Sequence, residues 1–170
     1  DALNELRSVC QVAGFSVLAG ASLVARHAFS DQIGLGRPDD LDFGEYRTFV
    51  ESIESKLKAE SIDFIRLEDN YEPEPYYVPL KVDGSPAKFL KAKPKTDISK
   101  CDQCGICYRV CPMSSISKEN YSDVIGICIK CQACIRRCPQ DAKYFDDEDF
   151  LSHVDMVRDN FTERATNKFI

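Results

Sequence analysis

Eight of the nine cysteines in this 170-residue chain fall between Cys101 and Cys138, in two runs of the same spacing, CDQCGICYRVCP and CIKCQACIRRCP. Each run reads CxxCxxCxxxCP and so repeats the other, the first supplying Cys101, Cys104, Cys107 and Cys111 and the second Cys128, Cys131, Cys134 and Cys138. Three thiolates at two-residue intervals on a curled loop reach three corners of one cubane, while a fourth after a three-residue gap points away and serves another. The spacing predicts two [4Fe–4S] clusters with crossed ligands: Cys101, Cys104, Cys107 and Cys138 for one, and Cys128, Cys131, Cys134 and Cys111 for the second. Such a crossing ties the two halves into one fold.

The neighbouring residues suit that chemistry. Pro112 and Pro139, each directly after a fourth cysteine, lack an N–H and fix φ where the chain turns away. Gly105 and the small Ala133 let the backbone approach sulfide closely enough for N–H groups to hydrogen-bond sulfur. Structural zinc and a disulfide framework are the alternatives. Zinc gives no reason for a third CxxC step followed by CP, twice, and a disulfide scaffold would not confine its cysteines to one region.

The net charge of −6, from 22 basic and 28 acidic residues, argues against a nucleic-acid partner and favours a redox partner with a basic docking face. No stretch has the length of a membrane-spanning helix and no signal peptide is legible, so the expected setting is cytoplasmic, without membrane insertion. Thiolates destined for iron need a reducing compartment, and exposed cubanes favour an anaerobic or microaerobic cell.

Before the cysteines, Leu3, Leu6, Cys10 and Ala13 recur at helical spacing and predict an amphipathic helix ending before Gly14, with the ninth cysteine, Cys10, as a packed thiol. FSVLAGASLVA then reads as a strand covered on both faces. RHAFSDQIGLGRP is loop-like, with His27 as a loop histidine bonded to nearby backbone. A second helix starts near Asp39 and Asp40 and presents Phe43, Tyr46, Phe49, Val50, Ile53 and Leu57. SIDFIRLE is a candidate short strand, and NYEPEPYYVP an extended connection. Asp83-Gly84 marks the turn of a β-hairpin kept at an edge by Pro79 and Pro86. Lys91 to Lys95 reads as a solvated linker. After the cysteines, Asp146 and Asp147 cap a last amphipathic helix whose buried face is expected to be Phe150, Leu151, Val154, Val157 and Phe161.

The phrases GFSVLAGASLVARHAFS, GRPDD and CIKCQACIRRCPQDAKYFDD resemble the C-terminal part of microbial flavodoxin–ferredoxin fusion proteins, over nearly the whole chain. The resemblance implies an α+β chain: a partial α/β flavodoxin-like segment over 1–58, a linker over 59–94, a bacterial two-cluster ferredoxin-like domain over 95–146 and a C-terminal helix over 147–170. It implies single-electron transfer between flavin and clusters, and carries over the same eight cysteines as ligands. The Ser/Thr/Gly-rich phosphate loop of a flavodoxin-like domain is not in this sequence, so FMN is expected only if the first half of such a domain is supplied.

The expected function is an electron carrier rather than a stand-alone enzyme, since no nucleophile, general base or substrate motif is evident. Its partner is a redox protein, a flavoprotein being one candidate, and oligomeric state is not legible. Ile106, Ile127, Ile129 and Ile135 are expected to shield the clusters from water, Tyr108 and Tyr144 to pack over them or in the core, and Arg109, Lys130, Arg136 and Arg137 to favour the reduced state. Two other readings remain: the cluster-bearing part of a flavin-dependent oxidoreductase, and a zinc-stabilised interaction module.

Overall fold

The computed structural model describes residues 2–66 and 71–170. Its elements run α1 (Ala2–Val12), β1 (Ala21–Ser22), α2 (Asp40–Lys58), β2 (Lys95–Thr96), α3 (Ile106–Arg109), α4 (Ala133–Arg136), β3 (Lys143–Tyr144), α5 (Glu148–Asn160) and β4 (Lys168–Phe169). They belong to two compact units. One comprises residues 1–27, 34–77 and 163–170, the other 28–33 and 78–162.

The first unit is built on α2. Asp39 caps it by accepting from the Leu41 and Asp42 N–H groups, and the Asp42 side chain returns the bond to the Asp39 N–H at 2.8 Å, a reciprocal capping box. The inward face follows Asp42, Tyr46, Phe49, Ile53 and Lys56. Phe43, Val50 and Leu57, expected on that face, are exposed by about half. The helix turns this way because Asp42 at its first turn is drawn inward by polar partners. Arg37 grips its carboxylate through two nitrogens and Asn167 donates to it at 2.8 Å. Further along, Tyr46 donates to the Val24 carbonyl at 3.3 Å, and the rings of Phe49 and Phe169 stand 4.9 Å apart.

The strand expected over FSVLAGASLVA shrinks to β1, which pairs antiparallel with β4 through Ala21↔Phe169 and Ser22↔Lys168. Both sheets are two-stranded and antiparallel, so among the described residues no pair has the parallel register of a flavodoxin-like layer. None of residues 15–25 is buried, and Phe15 is 69% exposed. Around the strand the backbone takes single bonds, Ile65 N–H to the Val17 carbonyl at 2.8 Å and Gly20 N–H to the Ile170 carbonyl at 3.0 Å. The SIDFIRLE strand lies partly outside the described residues, and its described part, 61–66, is not a strand. In α1 the expected stripe is only half realised: Cys10 is half-buried, but Leu6 is exposed.

The second unit closes on an aromatic cluster under α5. Phe150 is 3% exposed, with ring centroids 5.0 Å from Phe29, 5.4 Å from Phe89 and 4.6 Å from Phe145. His153 stacks on Phe89 at 5.2 Å, and its Nδ1 lies 2.9 Å from the Leu80 carbonyl oxygen. The buried face of α5 is therefore Phe150, His153 and Met156. Leu151 and Phe161, expected to be covered, are exposed; Phe161 already lies at the C-cap, beyond the last helical turn. Asp147 caps α5 through the Phe150 N–H at 2.9 Å. The Asp83-Gly84 turn forms with Gly84 at φ 81°, but the hairpin contracts to one bridge, Leu80↔Pro86, because proline supplies no N–H to extend it.

Between the hairpin and α5 runs the cysteine repeat, and its backbone repeats as faithfully as its sequence. Helices α3 and α4 occupy equivalent places twenty-seven positions apart. The described non-glycine residues with positive φ are Gln103, Ser114, Lys130, Gln132 and Asp141. Gln103 and Lys130, Ser114 and Asp141, and Gly105 with Gln132 stand in equivalent positions. Left-handed backbone at these places bends the chain around a centre instead of along an axis. The expected linker end joins the same unit: β2 pairs with β3 through Lys95↔Tyr144 and Thr96↔Lys143.

Candidate metal centre

The eight repeat cysteines line two cavities, four in each. Cys101, Cys104, Cys107 and Cys138 line one, with Gly105, Ile106, Tyr121, Ala142 and Lys143 among the other walls, around about 310 Å³ of empty space including its mouth. Cys111, Cys128, Cys131 and Cys134 line the other, with Ser115, Ile116, Lys130 and Phe145, around about 390 Å³ counted the same way. Each cavity thus takes three cysteines from one run and the fourth from the other. α3 and α4 make this sharing possible, because each carries the third cysteine of its run and turns the chain before the fourth.

Backbone N–H groups already point at sulfur in equivalent places. Ser115 N–H donates to Cys111 Sγ at 3.3 Å, and Ala142 N–H donates to Cys138 Sγ at 3.3 Å. Lys130 N–H donates to Cys128 Sγ at 3.4 Å. Backbone donors so placed are suited to the sulfurs of a bound iron–sulfur group. Gly105 is required by packing as well as by its φ of 71°: a Cβ there would lie 2.8 Å from the Tyr121 hydroxyl oxygen. Gly126 is equally confined, since a Cβ would meet Ser115 Oγ at 2.7 Å.

The charge balance fits an anionic group. Lys130 and Lys143 are 7% and 4% exposed, and each lines one cavity. Among the described residues neither ammonium forms an ion pair; Lys143 Nζ donates to the Tyr121 carbonyl at 2.6 Å and Lys130 Nζ to the carbonyls of Leu90 and Cys128. Buried ammonium groups held only by carbonyls are costly without negative charge nearby, which four thiolates would provide. Burial pushes the Cys134 thiol up to about 11 and raises that of Cys107, with Lys143 opposing both shifts. Iron binding at these thiols would therefore displace protons.

Among the described residues no three His, Cys, Asp or Glu side chains converge as a single metal ion requires. A tetrahedral zinc site draws its sulfurs to about 2.3 Å from one point. Cavities with cysteines spread around their walls suit a cubane, whose corners separate the four ligands. Such a group would supply one-electron chemistry; the cysteines would hold it by thiolates, with N–H donors to sulfur and positive charge beside it.

Several expectations for the surroundings change. Ile106 lines the first cavity and Ile127 and Ile129 the second, but Ile127 is 73% exposed and Ile129 54%, so both side chains stand largely in solvent; Ile135 lines neither. Tyr108 packs on Tyr121 at 6.3 Å, whereas Tyr144 lines a surface groove with Lys91, Lys93 and Lys95. Arg136 is engaged elsewhere, donating to the Ala28 carbonyl and to Asp31 at 2.6 Å. Arg109 donates to the Cys104 carbonyl at 3.2 Å, and Arg137 is exposed. Lys95 is not a free linker residue: it pairs with Asp146 at 2.6 Å. Sequence reasoning missed Lys143, Tyr121 and Ser115. Only alignment of the two halves, which sets Lys143 opposite Ile116, marks the lysine as a departure from the repeat.

Comparison with known proteins agrees with this chemistry. Residues 93–116 match a family described as a 4Fe-4S binding domain, covering the first cysteine run. NAD(P)H-quinone oxidoreductase subunit I from Gloeobacter violaceus is 27% identical over 96 residues, 49% of this chain. The chain matches 46% of that relative's length, about half. No solved structure matches. The first cysteine run thus has the pattern of a 4Fe-4S binding domain, and this match supports an iron–sulfur site in the chain.

Proposed function

We propose that this chain is an electron-transfer protein carrying two [4Fe–4S] clusters, one held by Cys101, Cys104, Cys107 and Cys138 and the other by Cys111, Cys128, Cys131 and Cys134. The observation that carries this reading is the division of the eight cysteines into two four-cysteine cavities, each drawing its fourth member from the opposite run. Two one-electron centres in one small unit pass electrons singly between partners, which are other redox proteins. The proposed setting is a reducing, cytoplasmic one. Among the described residues no helix is long and apolar enough to cross a membrane.

A second reading makes the chain the cluster-bearing part of a larger oxidoreductase, favoured by the name of the Gloeobacter relative as a subunit. The flavin implied by the flavodoxin–ferredoxin resemblance finds no support in the matches.

Iron, acid-labile sulfide, zinc and flavin are measured on anaerobically purified protein, with low-temperature EPR after dithionite reduction. The reading expects about eight iron and eight sulfide per chain. Cys138→Ser and Cys111→Ser should each damage one centre and leave the other's signal intact. Zinc without sulfide refutes the proposal. Stoichiometric flavin beside the clusters would favour the second reading.

A further inference from the structure

Lys143 sits where the repeat would place an apolar residue. Its counterpart in the first half is Ile116, 3% exposed, and Lys143 is 4% exposed. The lysine is drawn in by β3, where it pairs with Thr96, and its Nζ donates to the Tyr121 carbonyl at 2.6 Å. That carbonyl satisfies one of three ammonium donors and supplies no countercharge. Among the described residues no carboxylate comes within ion-pair range. Burying an ammonium in this way costs several kcal/mol after relaxation, so an isoleucine like Ile116 would stabilise the fold better. The charge has access to both cavities: Lys143 lines that of Cys107, and β3, which carries the lysine, packs against α4, which carries Cys134 of the other.

We propose that Lys143 is a positioning residue for electrons, an internal countercharge shared by both cysteine cavities that raises the reduction potential of both. The inference rests on the cluster reading above. Reduction adds one electron to a centre already anionic through its four thiolates, and a fixed ammonium nearby stabilises the more negative state. The electron comes from an external reductant, here an electrode or dithionite. The step is electron transfer alone: the reductant loses the electron that the centre gains. Because the side chain is buried, salt screens this interaction far less than it screens the exposed Arg137.

The test compares Lys143→Met, Lys143→Gln and Lys143→Arg with the unaltered chain and with Lys118→Met, an exposed lysine outside the site. Iron and sulfide are counted first, and both midpoint potentials are then taken by EPR-monitored titration. The Met and Gln variants should lower the reduction equilibrium of both centres about tenfold, 59 mV per centre for a one-electron couple. Gln keeps an N–H donor without the charge, so a shift in Met alone would assign Lys143 a purely structural role and overturn the proposal. Arg should stay within about threefold of the unaltered chain, as should Lys118→Met. Full iron content with unchanged potentials in Met and Gln overturns the inference and leaves the cluster reading standing. Loss of both centres in Met and Gln, with retention in Arg, supports it by showing that the positive charge is needed; loss in all three overturns it in favour of packing. An unaltered chain without iron or sulfide removes the cluster reading and this inference together.

Discussion

Replacing Phe150 with alanine tests the packing behind the cysteine repeat. Phe150 is 3% exposed and meets Phe29, Phe89 and Phe145 within 5.4 Å. Removing a buried phenylalanine costs about 3–5 kcal/mol in transfer and cavity free energy, and the lost ring pairs place this site toward the upper part of that range. Phe145 also lines the cavity of Cys111, Cys128, Cys131 and Cys134, so its loosened ring reaches the candidate site. A metalloprotein seldom unfolds reversibly, so the suitable quantity is an unfolding rate. With about 4 kcal/mol lost and roughly a third of the contact formed in the transition state, unfolding should accelerate on the order of 100-fold. The chain has no tryptophan, so the assay is circular dichroism at 222 nm during dilution into guanidinium, with visible absorbance followed in parallel under argon. Leu151→Ala is the matched comparison, because Leu151 is 43% exposed on the same helix and should change the rate less than about threefold. Equal effects of the two substitutions, or less than a fivefold effect of Phe150→Ala, would refute the placement of α5.

Two further outcomes follow from named contacts. Gly105→Ala forces a side chain into left-handed backbone at φ 71° and toward the Tyr121 hydroxyl, costing about 1–2 kcal/mol from the backbone alone; a lower iron-to-protein ratio after reconstitution should accompany the loss, while Gly44→Ala, which meets nothing within 4 Å, should reconstitute normally. Arg37 holds the Asp42 carboxyl well below the usual carboxylate range. A depressed carboxyl contributes stability that is complete above its unfolded pKa of about 3.9 and is lost as pH falls from there through the folded value. Resistance of the unaltered chain to thermal unfolding should therefore fall below about pH 4, and Asp42→Asn should be less stable at pH 7 and flatter across that acid range; an unchanged acid slope in the variant would contradict the role given to this pair.

What the sequence made legible was whatever repeats or caps locally. The repeat in the cysteine spacing returns as a repeat in the backbone, with α3 and α4 twenty-seven positions apart and left-handed residues in equivalent places. The caps at Asp39 and Asp147 and the turn at Asp83-Gly84 depend on neighbouring residues alone, and they appear where expected. Apolar periodicity served less well. In α2 the run of large apolar residues suggested a face through Val50 and Leu57, yet the buried first-turn residue is Asp42, held by Arg37 and Asn167 from five positions before and 125 positions after it. No local pattern announces a partner that distant. The same holds for α5, where His153 takes a core position because Phe89 and the Leu80 carbonyl meet it there. The apolar run at 15–25 had a strand's composition, but a strand also needs a neighbour in register, and only Ala21 and Ser22 find one.

The order in which the chain visits its two units has a consequence for dissecting the protein. The path crosses between them four times, after His27, Ile33, Tyr77 and Thr162. Residues 78–162 contain all eight repeat cysteines but lack Phe29, and so leave one edge of Phe150 uncovered. They also lose Ala28 and Asp31, which together receive the Arg136 guanidinium. An excised cysteine segment is thus a different folding problem from the same segment in its chain. Limited proteolysis offers the converse view: a cut near Tyr77 leaves the remaining crossings covalent, and the products should stay associated until denatured.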